Sequence, residues 1–369
     1  MTGRAASVYN SHVPHLLGQT QDDLIAWARA RGAAAGGARV LAQALLAESA
    51  GRARKAGDDR PARGLLDAAA TEFERELPSA EAVPDPDGTV RFAVRLADGA
   101  LVETVLIAQP GRFTVCVSSQ VGCARGCVFC ETGRLGLKRN LAAAEIVAQV
   151  AIAVRHQVQR GGPAPGNVVY MGMGEPLDNL DEVVRSIDVL RERAGFAVAE
   201  RRITVSTVGI VPQIDALFAR TRANLAVSLH ALAPAVRLAL LPVARKWDLA
   251  ALRAAIARAP RTVLLQWTLI EGQNDAGADA DALAEFCRAL DVRVNLIPLN
   301  PGPVAAQRAP SLERCRAFQK RLADAGVRVM LRLPHGQSVG GACGQLAGAR
   351  RGGPASATAS PPAAGGRAR

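Results

Sequence analysis

Cys123, Cys127 and Cys130 stand in the run VGCARGCVFCETG, a C-x3-C-x2-C spacing with Phe129 just before the last cysteine. One short loop thus offers three thiolates. Thiolates are the usual protein ligands of iron–sulfur clusters, and a [4Fe–4S] cube held by three of them keeps one iron without a protein ligand. Such an iron can bind a small molecule through an amino and a carboxylate group. S-adenosylmethionine is among the cofactors used for radical chemistry. The competing reading is a zinc knuckle. Zinc sites usually want a fourth Cys or His at finger-like spacing, and the nearest downstream histidine is His156, inside a predicted helix. The spacing favours the cluster.

Further residues with chemical potential fall at the ends of predicted strands. Gly172–Pro176 reads GMGEP, where glycines let backbone approach a ligand and Glu175 can accept from an ammonium or hydroxyl. Ser206 (VSTVG), Ser228 and His230 (VSLHAL) and Asn300 (IPLNPG) recur at equivalent places. Each alone is ordinary turn chemistry; their recurrence is what points to a site. Cys116 precedes the cysteine loop, and Cys343 lies in the glycine-rich GGACGQLAG. Cys287 and Cys315 sit in amphipathic helical patterns and read as core filler. Glu103, in ALVETVLI, shares a strand face with Leu101, Val105 and Ile107. It is either desolvated, which raises a carboxyl toward the range of a general base, or paired across the strand with Arg91 or Arg95.

These residues need a scaffold. A hairpin is predicted from Arg91–Ala97, a turn at Asp98-Gly99, and Ala100–Ile107. Strands then follow at 113–118, 167–173, 203–208, 224–229, 262–270, 292–299 and 327–333. Helical patterns at 141–160, 180–193, 248–258, 277–290 and 311–325 lie between most of them. Repeated βα units imply a parallel sheet covered by helices, an α/β fold of partial or complete barrel type. The cysteine loop and the polar series then share the carboxyl ends of the strands, where barrel sites are built. Ahead of this region, residues 16–50 predict two short helices, the first capped by Thr20. Residues 52–63 read as a linker and 78–90 as proline-punctuated turns. The tail 349–369 is basic, rich in Pro, Gly, Ala and Ser, and reads as disordered.

Composition bounds the setting. The 369 residues carry a formal charge of +12 and 49% hydrophobic residues, enough for a large core and biased toward a polyanionic partner such as nucleic acid. Only four of the 45 basic residues are lysines; gene composition alone can produce that skew, so charge supports nucleic acid only in company with other features. Seven cysteines, an odd number with three in one loop, argue against a secreted disulfide framework. No signal sequence is evident, and the most apolar stretch, Leu141–Val154, is too short for a bilayer. The expectation is a cytoplasmic protein without a membrane partner.

Taken together, CVSSQVGCARGCVFCETG (116–133), RNLAAAEIVAQV (139–150), YMGMGEPLDN (170–179), ITVSTVGIVP (203–212), LAVSLHAL (225–232), NLIPLNP (295–301) and ACGQLAG (342–348) resemble the radical-SAM RNA adenine methyltransferases of the RlmN/Cfr family. The resemblance implies a radical-SAM partial (β/α) barrel at 90–348, with the hairpin 91–107 leading in. It also implies a small N-terminal helical, RNA-binding domain at 1–80. Cys123, Cys127 and Cys130 would hold the [4Fe–4S] cluster. Gly174, Glu175, Ser206, Ser228, Leu229, His230 and Asn300 would contact S-adenosylmethionine. Cys343 would carry a methyl group, Glu103 would act as base, and Cys116 would attack the Cys343 sulfur, leaving a disulfide. The implied partners are an RNA, ribosomal before transfer RNA, an electron donor and a disulfide reductant. Carbon 2 of an adenine is the favoured target and carbon 8 the alternative. Other classes are a non-catalytic iron–sulfur RNA-binding or redox protein, which has no reason to keep Glu103, Cys116 and Cys343 together, and a radical-SAM enzyme of a small molecule. The chain departs from the family pattern at Glu131, commonly a small residue, across 33–63, and at PHGQSVGG (334–341), usually more acidic.

Overall fold

A computed structural model of the protein describes residues 13–52, 60–162 and 165–347. The predicted tail lies outside them. Three helices come first: α1 (Gln21–Arg29), α2 (Ala35–Ser49) and α3 (Arg63–Glu72). Thr20 and Asp23 cap α1 reciprocally, each accepting from the other's backbone N–H at 3.3 and 2.8 Å. These helices close over their own apolar core of Leu16, Leu24, Leu41, Leu45 and Phe73. The unit docks through Arg185, which donates to the Gly18 carbonyl at 3.0 Å, and Arg52, which donates to the carbonyls of Arg193 and Gly195 at 3.0 Å.

An antiparallel group follows: β1 (Ser79–Pro84), β2 (Val90–Arg95), β3 (Leu101–Gln109) and β4 (Arg112–Cys116). β1 is a correction to the sequence reading, which took 78–90 for turns only. Its one proline, Pro84, is tolerated because β1 lies at the sheet edge, where one side of the strand has no ladder to feed. The cysteine loop carries a small ribbon of its own, β5 (Gln120–Cys123) against β6 (Gly136–Asn140). The chain then alternates through α4 (Ala143–Val158), β7 (Pro165–Tyr170), α5 (Leu180–Arg191), β8 (Ile203–Thr207), α6 (Val211–Arg220), β9 (Asn224–Ser228), α7 (Pro234–Leu240) and α8 (Leu249–Ala257). It ends with β10 (Val263–Leu269), α9 (Gly277–Cys287), β11 (Val292–Pro298), α10 (Leu312–Asp324) and β12 (Val329–Leu331).

The sheet order is β1-β2-β3-β4-β7-β8-β9-β10-β11-β12, and every pair from β4 to β12 is parallel. Among the described residues β12 pairs only with β11, so the sheet curls without closing: a partial barrel. Alternation in β8, β9 and β10 buries Val205, Val227 and Leu265 while leaving Ser206, Ser228 and Gln266 half-exposed on the other face. That second face carries the site.

Candidate active site

Cys123 ends β5, and Cys127 and Cys130 follow in the loop. Gly122 fixes the approach: its φ is +78°, and a Cβ there would collide with the Gly136 carbonyl of β6. Arg125 donates its backbone N–H to Cys123 Sγ at 3.4 Å and pairs its side chain with Asp178. The loop is stitched to the chain's last described segment. Glu131 N–H donates to the Gly344 carbonyl at 2.8 Å, and Thr132 donates its hydroxyl to the Leu346 carbonyl at 2.7 Å. Burial pushes all three thiols up, Cys123 to about 12. Among the described residues no three His, Cys, Asp or Glu side chains converge on a single ion. The three thiols instead line one cavity.

Gly174, Glu175, Ser206, Ser228, His230, Asn300 and Cys343 line the same cavity. Gly174 has φ +104°, and a Cβ would meet Gln120 Cβ at 2.6 Å. Glu175 is buried and accepts from Leu177 N–H at 3.1 Å and Val208 N–H at 2.9 Å. Burial outweighs those bonds and raises its carboxyl to about 7. His230 follows β9 in the left-handed region, φ +56°. Its Nδ1 accepts from Thr268 N–H at 2.9 Å, its carbonyl from Asn274 at 2.7 Å, and its ring stands edge-on to Phe129 at 4.8 Å. Burial, helped by the charge of Arg237, draws its pKa down to about 3. The ring is therefore neutral with its proton on Nε2. Leu229 lies behind this wall, fully buried, its N–H donating to the Gln266 carbonyl at 3.0 Å.

A second cavity adjoins the first. The two share Cys130, Met171, Gly172, Gln266, Asn300 and Cys343. Cys116, at the end of β4, reaches only the second, which is also lined by Asn295, Arg332, Leu333 and His335. Burial raises the Cys116 thiol to about 12. Cys343 keeps open surface toward the cavities, yet crowding by protein atoms raises its thiol as well. Asn300 fixes its loop, donating to the Cys343 carbonyl at 3.0 Å while accepting from Gln337 at 2.7 Å. Glu103, 1% exposed, lines neither cavity. It pairs with Arg91 and accepts from Ala347 N–H at 2.7 Å, the paired alternative of the sequence reading.

Residues 117–286 match the radical SAM superfamily. The chain is 38% identical to a radical SAM methyltransferase from Sphaerobacter thermophilus of known crystal structure, over 90% of this chain and 99% of that one, with a TM-score of 0.82. It is 52% identical to a probable RNA methyltransferase of Sorangium cellulosum over 74% of this chain and 70% of the relative. With the dual-specificity RNA methyltransferase RlmN of Syntrophobacter fumaroxidans the identity is 46%, over 70% of this chain and 77% of the relative. The chain belongs to the RlmN/Cfr family of radical SAM RNA methyltransferases.

Family membership implies a [4Fe–4S] cluster and S-adenosylmethionine, and the residues present fit both. Three thiols, Cys123 buried and Cys127 and Cys130 half-buried, open on one cavity, and Arg237 has two buried N–H groups that meet no acceptor among the described residues. Glu131 contributes its backbone N–H, which any residue supplies. The segment 334–341 is held by the β1–β2 turn: Asp87 accepts from Gly336 N–H at 2.9 Å and contacts His335 at 3.3 Å, and Asp85 accepts from Ser338. Although burial works to raise Asp87, N–H bonds from Thr89 and Gly336 hold it down at about 2. Sequence reasoning missed Gln266 and Thr268 of β10 and Met171 after β7, all cavity-lining. The signal was there for β10: polar residues at alternate positions of a strand otherwise apolar.

Proposed function

We propose that this enzyme methylates carbon 2 of an adenine in 23S ribosomal RNA through an S-methylcysteine formed at Cys343. One observation carries the reading: Cys343 lines both cavities, the one with the three cysteines and the one with Cys116. Of the two cysteines that line both cavities, Cys130 and Cys343, only Cys343 lies outside the cysteine loop, which leaves its thiol to carry a group between a cofactor and a base. Cys123, Cys127 and Cys130 would hold the cluster, and Gly174, Glu175, Ser206, Ser228, His230 and Asn300 would hold S-adenosylmethionine, with Leu229 packing behind them. When bound, these groups supply a carbon-centred radical able to take a hydrogen atom from a methyl group, which suits an electron-poor ring carbon that cannot attack a methyl cation equivalent.

Cys343 takes the methyl group on its sulfur, giving up the thiol proton. After hydrogen abstraction its methylene carbon would bond to the base, tying RNA to protein as a radical adduct, which would become closed-shell by losing its ring proton to a base and one electron to the oxidised iron–sulfur cluster. Cys116 then attacks the Cys343 sulfur: an S–S bond forms, the sulfur–methylene bond breaks with its electron pair left on carbon, and a proton completes the new methyl group. The resulting disulfide needs an external dithiol reductant, and the radical step a low-potential electron donor. Ring-proton removal by Glu103 requires its carboxylate to exchange Arg91 and Ala347 for the substrate. Glu175 would accept hydrogen bonds from the cofactor's amino group, and His230 offers a neutral Nε2–H. A second RNA class, with transfer RNA as the candidate, is supported by the dual-specificity designation of relatives. The deciding experiment is mass spectrometry of ribosomal and transfer RNA from a strain lacking the gene. Loss of 2-methyladenosine from 23S ribosomal RNA is expected; loss of 8-methyladenosine instead, or no loss from either RNA, rejects the reading.

A further inference from the structure

Arg237 is a buried cation without an adequate partner. It lies on α7, 2% exposed. Nη1 donates to the Leu229 carbonyl, while Nε and Nη2, both sealed from solvent, meet no hydrogen-bond acceptor among the described residues. An unpaired buried charge is strongly destabilising, so the arrangement makes sense only if something absent from the polypeptide completes it. The position says what. The far end of α7 is pinned to the cysteine loop, Val128 N–H donating to the Leu240 carbonyl at 3.1 Å. Pro242, just beyond α7, sits 3.9 Å from where a Cβ on Gly126 would stand. Gly126 and Val128 flank Cys127, and Arg237 lies one helical turn from Leu240 on the same face. Burial lowers the guanidinium to about 10, with a Cys127 thiolate acting in the opposite direction, so it stays cationic at neutral pH.

We propose that Arg237 is the buried counter-charge of the iron–sulfur cluster, setting its reduction potential from behind Cys127. This rests on the cysteine loop holding that cluster. Uptake of one electron from a low-potential donor adds one negative charge to the cluster and its thiolates, and a fixed cation in a medium of low dielectric favours that state. Arginine suits the role because burial does not neutralise it as it does lysine. Arg237 touches no reacting atom; it is a positioning residue for charge.

The test is a redox titration of the anaerobically reconstituted holoenzyme followed by electron paramagnetic resonance. Arg237→Gln should disfavour the reduced cluster at least tenfold, a fall of ~59 mV for a one-electron couple. A Gln holoenzyme with full iron content and an unchanged potential overturns the inference. If Arg237→Gln takes up no cluster, thermal unfolding of the metal-free proteins decides. A counter-charge without its cluster is a burden, so the variant should melt at the same or a higher temperature; a lower one marks a structural arginine and overturns the inference. Failure of the unsubstituted protein to bind iron is a different result, which rejects the cysteine assignment itself.

Discussion

Cys343 and Cys116 differ in which cavity each reaches, and that difference orders their proposed roles. Cys343→Ala should yield neither product nor covalent RNA complex. Cys116→Ala should complete carbon–carbon bond formation and stop there, because the thioether to the base lacks the thiol that cleaves it. A nuclease-sensitive mass shift of the purified variant checks this; full turnover without trapped RNA would reverse the assignment. Cys287→Ala and Cys315→Ala, buried in α9 and α10, should cost only modest packing energy and trap nothing. Glu175 makes a prediction about pH. Its folded-state pKa of about 7 lies above the ordinary carboxyl value of 4.5, so its ionisation penalises the folded state, and the penalty grows as pH rises between those values. In metal-free protein, Glu175→Gln should therefore gain stability relative to the parent as pH rises from 4.5 to 7, by at most about 3 kcal/mol. Denaturant unfolding at several pH values measures it. A difference independent of pH would mean that Glu175 ionises normally.

At the scale of elements, the site depends on turns that only particular backbones can make. The strand–turn after β7 runs under the β4–β5 connection so closely that Gly172 and Gly174 would meet Ser118 and Gln120 atoms at 2.6–2.9 Å if either carried a Cβ. Gln120 fixes the turn by accepting from Glu175 N–H at 2.8 Å, and Ser118 accepts from Met173 N–H at 2.8 Å. Gly174→Ala should lose about 2 kcal/mol or more of stability through the positive φ and the clash, and S-adenosylmethionine binding with it. Calorimetry on the reconstituted enzyme, with circular dichroism for folding, reads both. Retained affinity in a destabilised variant would separate the turn from cofactor binding. Glu103 acts at this scale too, tying β3 to the Cys343 loop through Ala347, while Arg91 Nε donates to the Val339 carbonyl at 2.6 Å.

The whole molecule is basic, with a formal charge of +12, and carries a helical unit with its own core beside the barrel. No helix among the described residues is long and apolar enough to cross a membrane. If about six phosphates are contacted by arginines, RNA affinity should fall with a log–log slope on salt of roughly −4 to −5. Filter binding of structured ribosomal RNA fragments between low and moderate salt measures it. A nearly flat response would mean that recognition runs through base contacts alone and that the charge is incidental.

The chemistry of this protein was legible in its sequence because ligand spacing within one loop is local information. C-x3-C-x2-C, GMGEP and ACGQLAG keep their meaning wherever the chain carries them, and alternating βα patterns follow from side-chain periodicity. Strand ends were legible for the same reason: polar residues there close apolar runs. Relations between distant segments were not. That Cys343 borders two cavities while Cys116 borders one, that Glu103 chooses Arg91 over Arg95, and that Asp85 and Asp87 reach Ser338 and Gly336 all depend on strand register and loop packing. β1 escaped the reading because proline forbids a central strand but not an edge, and only the assembled sheet says where the edge is. Arg237 escaped because burial of a charge is a property of the fold: in sequence it is one arginine among many, and the tertiary structure alone seals it beneath the cysteine loop.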